Sequence, residues 1–154
     1  MLSLEKNDMN KMFIELAIMN SNPEYNLVTR NRKTITIGDI ETTFTKALSY
    51  KIRRMLIKND HKYIGIVDFI IKNPLDNTPW IESFVIHKKF QGSNISKQAY
   101  LYFESMLRRQ TNTCRLAVYK RNKSAVCFWG KMGYTPYEVK VREGKVCLLM
   151  EKRY

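Results

Sequence analysis

The chain has 154 residues, of which 44% are hydrophobic, and its formal net charge at pH 7 is +13. This length supports a single domain with one core, and no apolar run approaches the roughly 20 residues that a membrane-spanning helix requires. The excess of Lys and Arg excludes an acidic surface and favours anionic partners, such as nucleic acid, an acidic membrane or a ligand with several phosphates. Because the basic residues are spread along the whole chain, we interpret most of the charge as a solvated surface.

The first half of the chain is predicted to form a strand, two helices and a β-hairpin. Helical spacing of apolar residues starts at Met9, and Pro23 ends that helix because proline disfavours a helical residue before it. A second helix follows the turn-like pair Gly38-Asp39. The expected elements are a strand over 2–6, a helix from 9 to about 20, a polar connecting loop over 22–32, a helix around 40–48, and a hairpin that pairs 51–58 with 63–71.

The second half is organised around a strand that starts at Trp80. This strand is bulky on both sides, as expected for a strand that is buried on both faces. A polar loop at 91–94 connects it to a helix, and the N–H groups at such a helix start suit a phosphate or pyrophosphate. The alternation places Trp80, Glu82, Phe84 and Ile86 on one side, and Ile81, Ser83, Val85 and His87 on the other. The remaining elements are a helix from 95, a strand over 114–119, a helix whose apolar face is 125–132, and a hairpin that pairs 134–142 with 145–152.

The cysteines and the N-terminus predict the cellular compartment. Cys114, Cys127 and Cys147 are odd in number and stand among apolar residues, which indicates reduced, buried thiols rather than disulfides. With only two histidines, far apart, we expect no metal site. Charged residues at 5, 6 and 8 occupy the place of a signal peptide's apolar region. The sequence therefore predicts a cytoplasmic protein.

Two stretches of the sequence resemble motifs A and B of the GNAT superfamily, the acetyl-CoA dependent N-acetyltransferases. The run VIHKKFQGSNIS is similar to the family's Q/R-x-x-G-x-G/A loop, with Gln91 in place and with Asn94 and Ser96 at two small positions. Because Asn tolerates a left-handed backbone, we expect a positive φ at Asn94. The second motif, N-x-x-A-x-x-F-W/Y-x-x-x-G-F/Y, is met at every spacing by Asn122, Ala125, Phe128, Trp129, Gly133 and Tyr134.

The resemblance implies a fold, a reaction and a coenzyme site. The fold is an α/β domain over residues 1–154 with a mixed, largely antiparallel sheet and about four flanking helices. The reaction moves the acetyl group of acetyl-CoA to a primary amine by direct attack in a ternary complex, without a metal. By resemblance, the residues that hold the coenzyme are Phe84, Val85, Ile86, Gln91, Gly92, Ser93, Asn94, Ile95, Ser96, Lys97, Asn122, Phe128 and Trp129.

Two catalytic residues are predicted within this site. Glu82 is the candidate base, because a carboxylate on a buried strand would have its pKa raised by desolvation and could accept the amine's proton. Asp68 is a second candidate, and a plain ion pair with a cation is the structural alternative for Glu82. The family's usual acid is a Tyr at the position of Trp129, whose indole is not an acid at neutral pH. Tyr134 is predicted to replace it, with Tyr119 or water as alternatives.

Other interpretations of the sequence remain open. A basic nucleic-acid-binding domain fits the charge, although no recognition motif supports it. A GNAT-like protein that binds coenzyme A without catalysis fits the altered motif positions. The acceptor is not identified by the sequence, and it could be a small molecule or a protein amine. Dimers are frequent in the family, and the last hairpin offers an edge strand through which two copies could pair.

Overall fold

The computed structural model describes residues 1–154 as a mixed seven-stranded sheet in the order β1-β2-β3-β4-β5-β7-β6. All neighbouring strands are antiparallel except β4 and β5. The α/β fold class predicted from the sequence is confirmed. The strands are β1 (Leu2–Lys6), β2 (Arg53–Asn59), β3 (Lys62–Ile70), β4 (Trp80–Ile86), β5 (Thr113–Tyr119), β6 (Thr135–Arg142) and β7 (Lys145–Arg153). The helices are α1 (Met12–Asn20), α2 (Pro23–Arg30), α3 (Ile37–Tyr50), α4 (Ile95–Leu107) and α5 (Lys123–Lys131), with short 3₁₀ turns at Met9–Lys11 and Lys88–Phe90.

Helix α2 occupies the segment that was predicted to be a loop. Pro23 stands in its first turn, where the missing N–H costs nothing, and Asn31 ends it with a φ of 61°. The prediction was wrong because Asn26 takes the place of an apolar residue on the helix's inner face. This side chain is fully buried and donates to the carbonyl groups of Met19 and Lys33. The hydrogen bonds of Asn26, together with the packing of Tyr25 against the core under α1 and α3, therefore fix α2 to its neighbours.

The sheet separates two hydrophobic cores. On one face α4 packs Tyr100 and Phe103 against Val67 and Ile81, together with Trp129 of α5. On the other face α1 and α3 cover a smaller cluster that includes Leu56, Ile66 and Val85. Strand β4 contributes to both clusters, as the bulky pattern of its sequence predicts.

A β-bulge interrupts the pairing of β4 with β3 and changes the predicted faces of β4. Asp68 pairs with Ser83 and Phe69 pairs with Ile81, so Glu82 is an extra residue without a partner. As a consequence Ile81 lies on the same core as Phe84 and Ile86. The sequence prediction placed Ile81 on the opposite side from those two residues, because strict alternation does not allow for an inserted residue.

The parallel strands β4 and β5 form the opening of the sheet. They are paired only at Trp80 with Arg115 and at Ile81 with Leu116. Beyond those residues they separate, which leaves a cleft at the carboxyl end of β4. The bulge at Glu82 lies where this separation begins.

The placement of the cysteines and the character of the helices bear on two further predictions. Cys114 and Cys147 are buried free thiols, as predicted, whereas Cys127 is exposed on α5. None of the helices combines the length and the apolar character that a membrane span requires.

Candidate functional site

The cleft between β4 and β5 collects most of the residues predicted to form the site. Its walls are the ends of those two strands, the segment from Gln91 to Lys97, helix α5 and the inner side of α2 and α3. Among the predicted residues, Ile95 and Tyr134 do not border it. Its lining includes Tyr25, Asp68, Glu82, Tyr119 and Tyr137, together with basic residues such as Arg30, Arg115 and Arg142.

The edge of β4 that faces the cleft carries unpaired backbone groups. The N–H of His87 donates to the carbonyl of Ile64 on β3 at 2.8 Å. Backbone groups alternate in direction along a strand, so those of Ile86 and Phe84 point the other way, toward β5. No residue of β5 pairs with them, and the carbonyl of Ile86 accepts instead from the side chains of Asn22 and Gln91. The groups left for a ligand are the N–H of Ile86 and the backbone N–H and carbonyl of Phe84. This edge can therefore receive an extended chain as an added strand.

The segment between β4 and α4 presents backbone N–H groups to the same cleft. Five of them, on Gly92, Ser93, Asn94, Ser96 and Lys97, bond no other group of the protein. They lie at or just before the N-terminus of a helix of 13 residues. Free N–H groups at a helix start form a site for phosphate oxygens.

The left-handed residue of this loop is Gly92 rather than Asn94. Gly92 has a φ of +79°, whereas Asn94 has a φ of −69° and already has a helical backbone. The prediction of a positive φ at Asn94 was therefore wrong. The chain makes its turn two residues earlier, where a glycine is present, so the loop does not need a glycine at position 94.

Gln91 fixes the loop to the rest of the protein instead of reaching into it. Its side-chain N–H₂ group donates to the carbonyl of Ile86 and to Oδ1 of Asn22, both at 2.7 Å. Asn22 in turn donates to the same carbonyl at 3.1 Å. The sequence analysis missed Asn22, because an Asn at the start of a predicted polar loop carries no signal of a partner 69 residues away.

Helix α5 forms the opposite wall. Asn122 caps it by accepting from the N–H of Ala125 at 3.3 Å. Phe128 stacks on Phe84 with ring centroids 5.9 Å apart. Trp129 is 7% exposed and makes edge-to-face contacts with Phe84, Tyr100 and Tyr134. Its surroundings are those of a core aromatic residue.

Tyr134 lies in the core and not in the cleft. It is 2% exposed, and its hydroxyl lies 2.9 Å from that of Tyr100. Burial, together with Cys114 and Tyr100, raises the pKa of Tyr134 far above its usual range. The predicted role of Tyr134 as direct proton donor is not supported by this placement. Tyr119 does line the cleft, and burial raises its pKa.

Glu82 lines the cleft but is exposed. The burial predicted for Glu82 is absent, because the bulge turns this residue out of the alternation of β4. No cation lies within ion-pair distance of Glu82, so the structural alternative of a simple ion pair is not observed. Its carboxylate is free to meet a ligand.

Asp68 is the buried carboxylate of the cleft. It is 4% exposed, and its Oδ2 accepts from Nε of Arg54 at 3.1 Å. Arg54 also donates to Glu15 at 2.6 Å. Burial raises the pKa of Asp68 to about 7, although the neighbouring Arg54 acts to lower it. The sequence held one signal of this cluster, since Arg54 alternates in register with the apolar Ile52 and Leu56.

A sheet that opens between two parallel strands, beside a loop with free N–H groups, has the features of a site for a phosphate-bearing ligand in extended form. The chain belongs to the acetyltransferase (GNAT) family, whose model matches residues 18–134.

Solved structures of the same fold support this assignment. An acetyltransferase from Thermus thermophilus is 17% identical, with a TM-score of 0.82 over 99% of this chain and 97% of the other. The PaiA N-acetyltransferase from Thermoplasma acidophilum, solved in complex with coenzyme A, is 15% identical, with a TM-score of 0.68 over 100% and 99%. YncA from Salmonella typhimurium, a putative acetyltransferase solved with acetyl-CoA, is 13% identical, with a TM-score of 0.65 over 99% and 94%. Comparison with curated proteins finds no significant sequence match.

Proposed function

We propose that this protein transfers the acetyl group of acetyl-CoA to a primary amine by direct attack within a ternary complex. The observation that carries the proposal is the free edge of β4 next to the five unbonded N–H groups at 92–97. Each feature suits one part of the same ligand. The family to which the chain belongs supplies the reaction class.

The coenzyme's pyrophosphate would meet the N–H groups of Gly92, Ser93, Asn94, Ser96 and Lys97. The pantetheine arm would then extend along Phe84 and Ile86 as an added strand, opposite Asn122 and Phe128. In this arrangement Gln91 and Asn22 do not touch the phosphates. They hold the loop at a fixed distance from the strand end by sharing the carbonyl of Ile86.

The chemistry requires a neutral amine, a polarised thioester and a proton for the leaving thiolate. An N–H of β4 directed into the cleft would donate to the thioester oxygen, which becomes negatively charged when the amine attacks. Glu82 would accept the ammonium proton, directly or through water, because its carboxylate stands free where the strands separate. The amine nitrogen then bonds to the carbonyl carbon, the C–S bond breaks, and Tyr119 or water returns a proton to the sulfur.

We also propose that the enzyme works in the cytoplasm, where its three free cysteines would stay reduced. The acceptor is an amine of either a small molecule or a protein.

Two measurements test the proposal in sequence. Calorimetric titration with acetyl-CoA should show saturable binding to one site per chain. A panel of amines is then scored by the free thiol that appears when the acetyl group is transferred. Binding of acetyl-CoA without transfer to any amine would leave a coenzyme-binding protein without this activity. Absence of binding would contradict the proposal as a whole.

A further inference from the structure

A buried ionic cluster lies beside the cleft and borders it through Asp68. Its members are Glu15 on α1, Arg54 on β2 and Asp68 on β3, and none is more than 6% exposed. Arg54 stands between the two carboxylates and bonds both of them. The ring of Phe44 lies 4.4 Å from the guanidinium and covers its face.

The two carboxylates differ in how well they are satisfied. Glu15 accepts from Arg54 with Oε2 and from Asn7 with Oε1, at 2.6 and 2.8 Å. Asp68 accepts from Arg54 with Oδ2 only, and its Oδ1 is buried without a partner. A buried carboxylate oxygen without a donor is costly. Asp68 borders the cleft, whereas Glu15 does not.

The positive charge near Asp68 does not balance the carboxylates around it. Arg54 is the one positive group that acts on it directly, against Glu15 on α1 and Glu82 on β4. From α2, Tyr25 approaches it as a neutral group whose pKa is raised by burial. Three carboxylates therefore face one guanidinium, in a protein whose overall charge is +13. The immediate surroundings of Asp68 are therefore acidic, although basic residues outnumber acidic ones in the cleft lining as a whole.

We propose that Asp68, whose buried Oδ1 has no partner, turns this oxygen to the cleft by a small side-chain movement and binds the ammonium group of the acceptor, so that this carboxylate selects cationic primary amines. The inference rests on the proposed acetyl transfer and names the residue that recognises the acceptor. An ammonium supplies both the missing hydrogen-bond donor and the missing positive charge. Glu82, on the neighbouring strand, then receives the proton that the amine must lose before it attacks.

Binding of a cation at this place must be linked to proton release. With its pKa at about 7, Asp68 is partly protonated at neutral pH. An ammonium favours the ionised carboxylate and lowers that pKa, so the protonated fraction gives up its proton when the amine binds. Amine affinity should therefore rise with pH through 7, up to the pH at which the amine itself becomes neutral.

The probe is n-butylammonium chloride, titrated by calorimetry into the protein saturated with coenzyme A, with butan-1-ol as a neutral probe of similar shape. At pH 7 the heat should differ between phosphate and Tris buffers in the sense of proton release. The alcohol should show no such difference. Asp68→Asn should weaken n-butylammonium binding by about 10-fold or more and abolish the proton release.

Glu15→Gln is the matched control, because it changes the other carboxylate on Arg54 without changing the cleft. Because Glu15 also acts on the pKa of Asp68, this variant should weaken n-butylammonium binding by less than Asp68→Asn does. If Asp68→Asn fails to fold, the buffer dependence of the wild-type protein still decides the matter. Failure of n-butylammonium to bind, binding without proton release, or equal binding by Asp68→Asn would overturn the proposal.

Kinetics with n-butylamine separate this inference from the proposed function. Asp68→Asn should raise KM for the amine by about 10-fold or more with little change in kcat, whereas Glu82→Gln should lower kcat. Transfer that proceeds with unchanged KM in Asp68→Asn would overturn the role of Asp68 while the acetyltransferase stands. Proton-linked amine binding without any acetyl transfer would overturn the acetyltransferase, while the role of Asp68 in binding the amine stands.

Discussion

The side-chain amide of Gln91 donates to Oδ1 of Asn22 at 2.7 Å. This bond joins the loop between β4 and α4 to the start of α2, 69 residues earlier. Both side chains also donate to the carbonyl of Ile86 at the end of β4. The loop, the strand and the helix pair α1–α2 therefore share one anchor. The position of the free N–H groups relative to the β4 edge depends on it.

Replacement of this anchor should weaken coenzyme binding without direct loss of a ligand contact. Asn22→Ala removes the acceptor for Gln91 and one donor to Ile86, and we expect coenzyme A affinity to fall about 10-fold. Calorimetric titration with coenzyme A measures the effect. Asn20→Ala is the control, because Asn20, at the end of α1, bonds the backbone of Ile35 and does not touch the loop. Equal losses in the two variants would mean that general destabilisation, and not the anchor, lowers affinity.

The turn at Gly92 should be sensitive to backbone strain alone. A Cβ at Gly92 would meet no atom within 4 Å, but the φ of +79° is unfavourable for a branched side chain. Gly92→Val should cost about 1 to 2 kcal/mol, or be relieved by a loop shift that weakens coenzyme A binding.

Asn94→Gly provides the comparison for that variant. Asn94 has a helical backbone, so this change should leave coenzyme A affinity near the wild-type value. Affinity and the urea midpoint are measured for both variants. A larger loss of affinity in Asn94→Gly than in Gly92→Val would show that the loop changes conformation when the coenzyme binds.

Trp129 should be structural. Trp129→Ala should cost about 3 to 5 kcal/mol in the free energy of unfolding, because it removes a buried ring that contacts three aromatic neighbours. Trp129→Tyr should remain folded, and it should raise turnover if proton donation to the thiolate limits the rate. Urea unfolding and turnover are measured on the same samples. A large loss of turnover in a stable Trp129→Phe variant would show instead that the indole N–H takes part in the chemistry.

Asp68 should make stability depend on pH in the opposite sense to an ordinary ion-paired carboxylate. Its folded pKa of about 7 lies above the ordinary value of 3.8, so between these two values the folded state holds more protons than the unfolded state. The free energy of unfolding therefore falls as pH rises through this window, by up to about 1.4 kcal/mol per pH unit from this group. Urea unfolding at pH 5 and pH 7 should show this decrease in the wild-type protein. The decrease should be smaller in Asp68→Asn, and equal pH dependence in the two proteins would contradict the assignment.

Sequence patterns predicted the parts of this fold that depend on apolar spacing and on local motifs. The two-sided burial of β4, the helix that begins at Ile95 and the hairpin around Glu143-Gly144 are found where the sequence places them. What failed depended on contacts between distant segments. The alternation of β4 cannot show that Glu82 is inserted at a bulge, because the register is set by pairing with β3.

The same limit applies to two site residues. Tyr134 satisfies the family motif, but its hydroxyl lies against that of Tyr100 on α4. Asp68 looked like one carboxylate on a hairpin strand, and its significance comes from Arg54 and Glu15, which are 14 and 53 residues away. A pair of motifs can identify a coenzyme site, whereas proton transfer depends on burial that only tertiary packing creates.

In the proposed reaction, this cleft moves an acetyl group from acetyl-CoA to an amine, with Glu82 as the proton acceptor. Its most direct test is the rate of amine-dependent thiol release from acetyl-CoA, measured for the wild-type protein and for Glu82→Gln. We predict that the wild type releases thiol only when an amine is present. The Gln variant should be slower by about 10² to 10⁴, with unchanged coenzyme affinity and with partial recovery at high pH, where the amine is already neutral. Thiol release that does not depend on amine would contradict acetyl transfer, and an undiminished rate in Glu82→Gln would remove Glu82 from the mechanism.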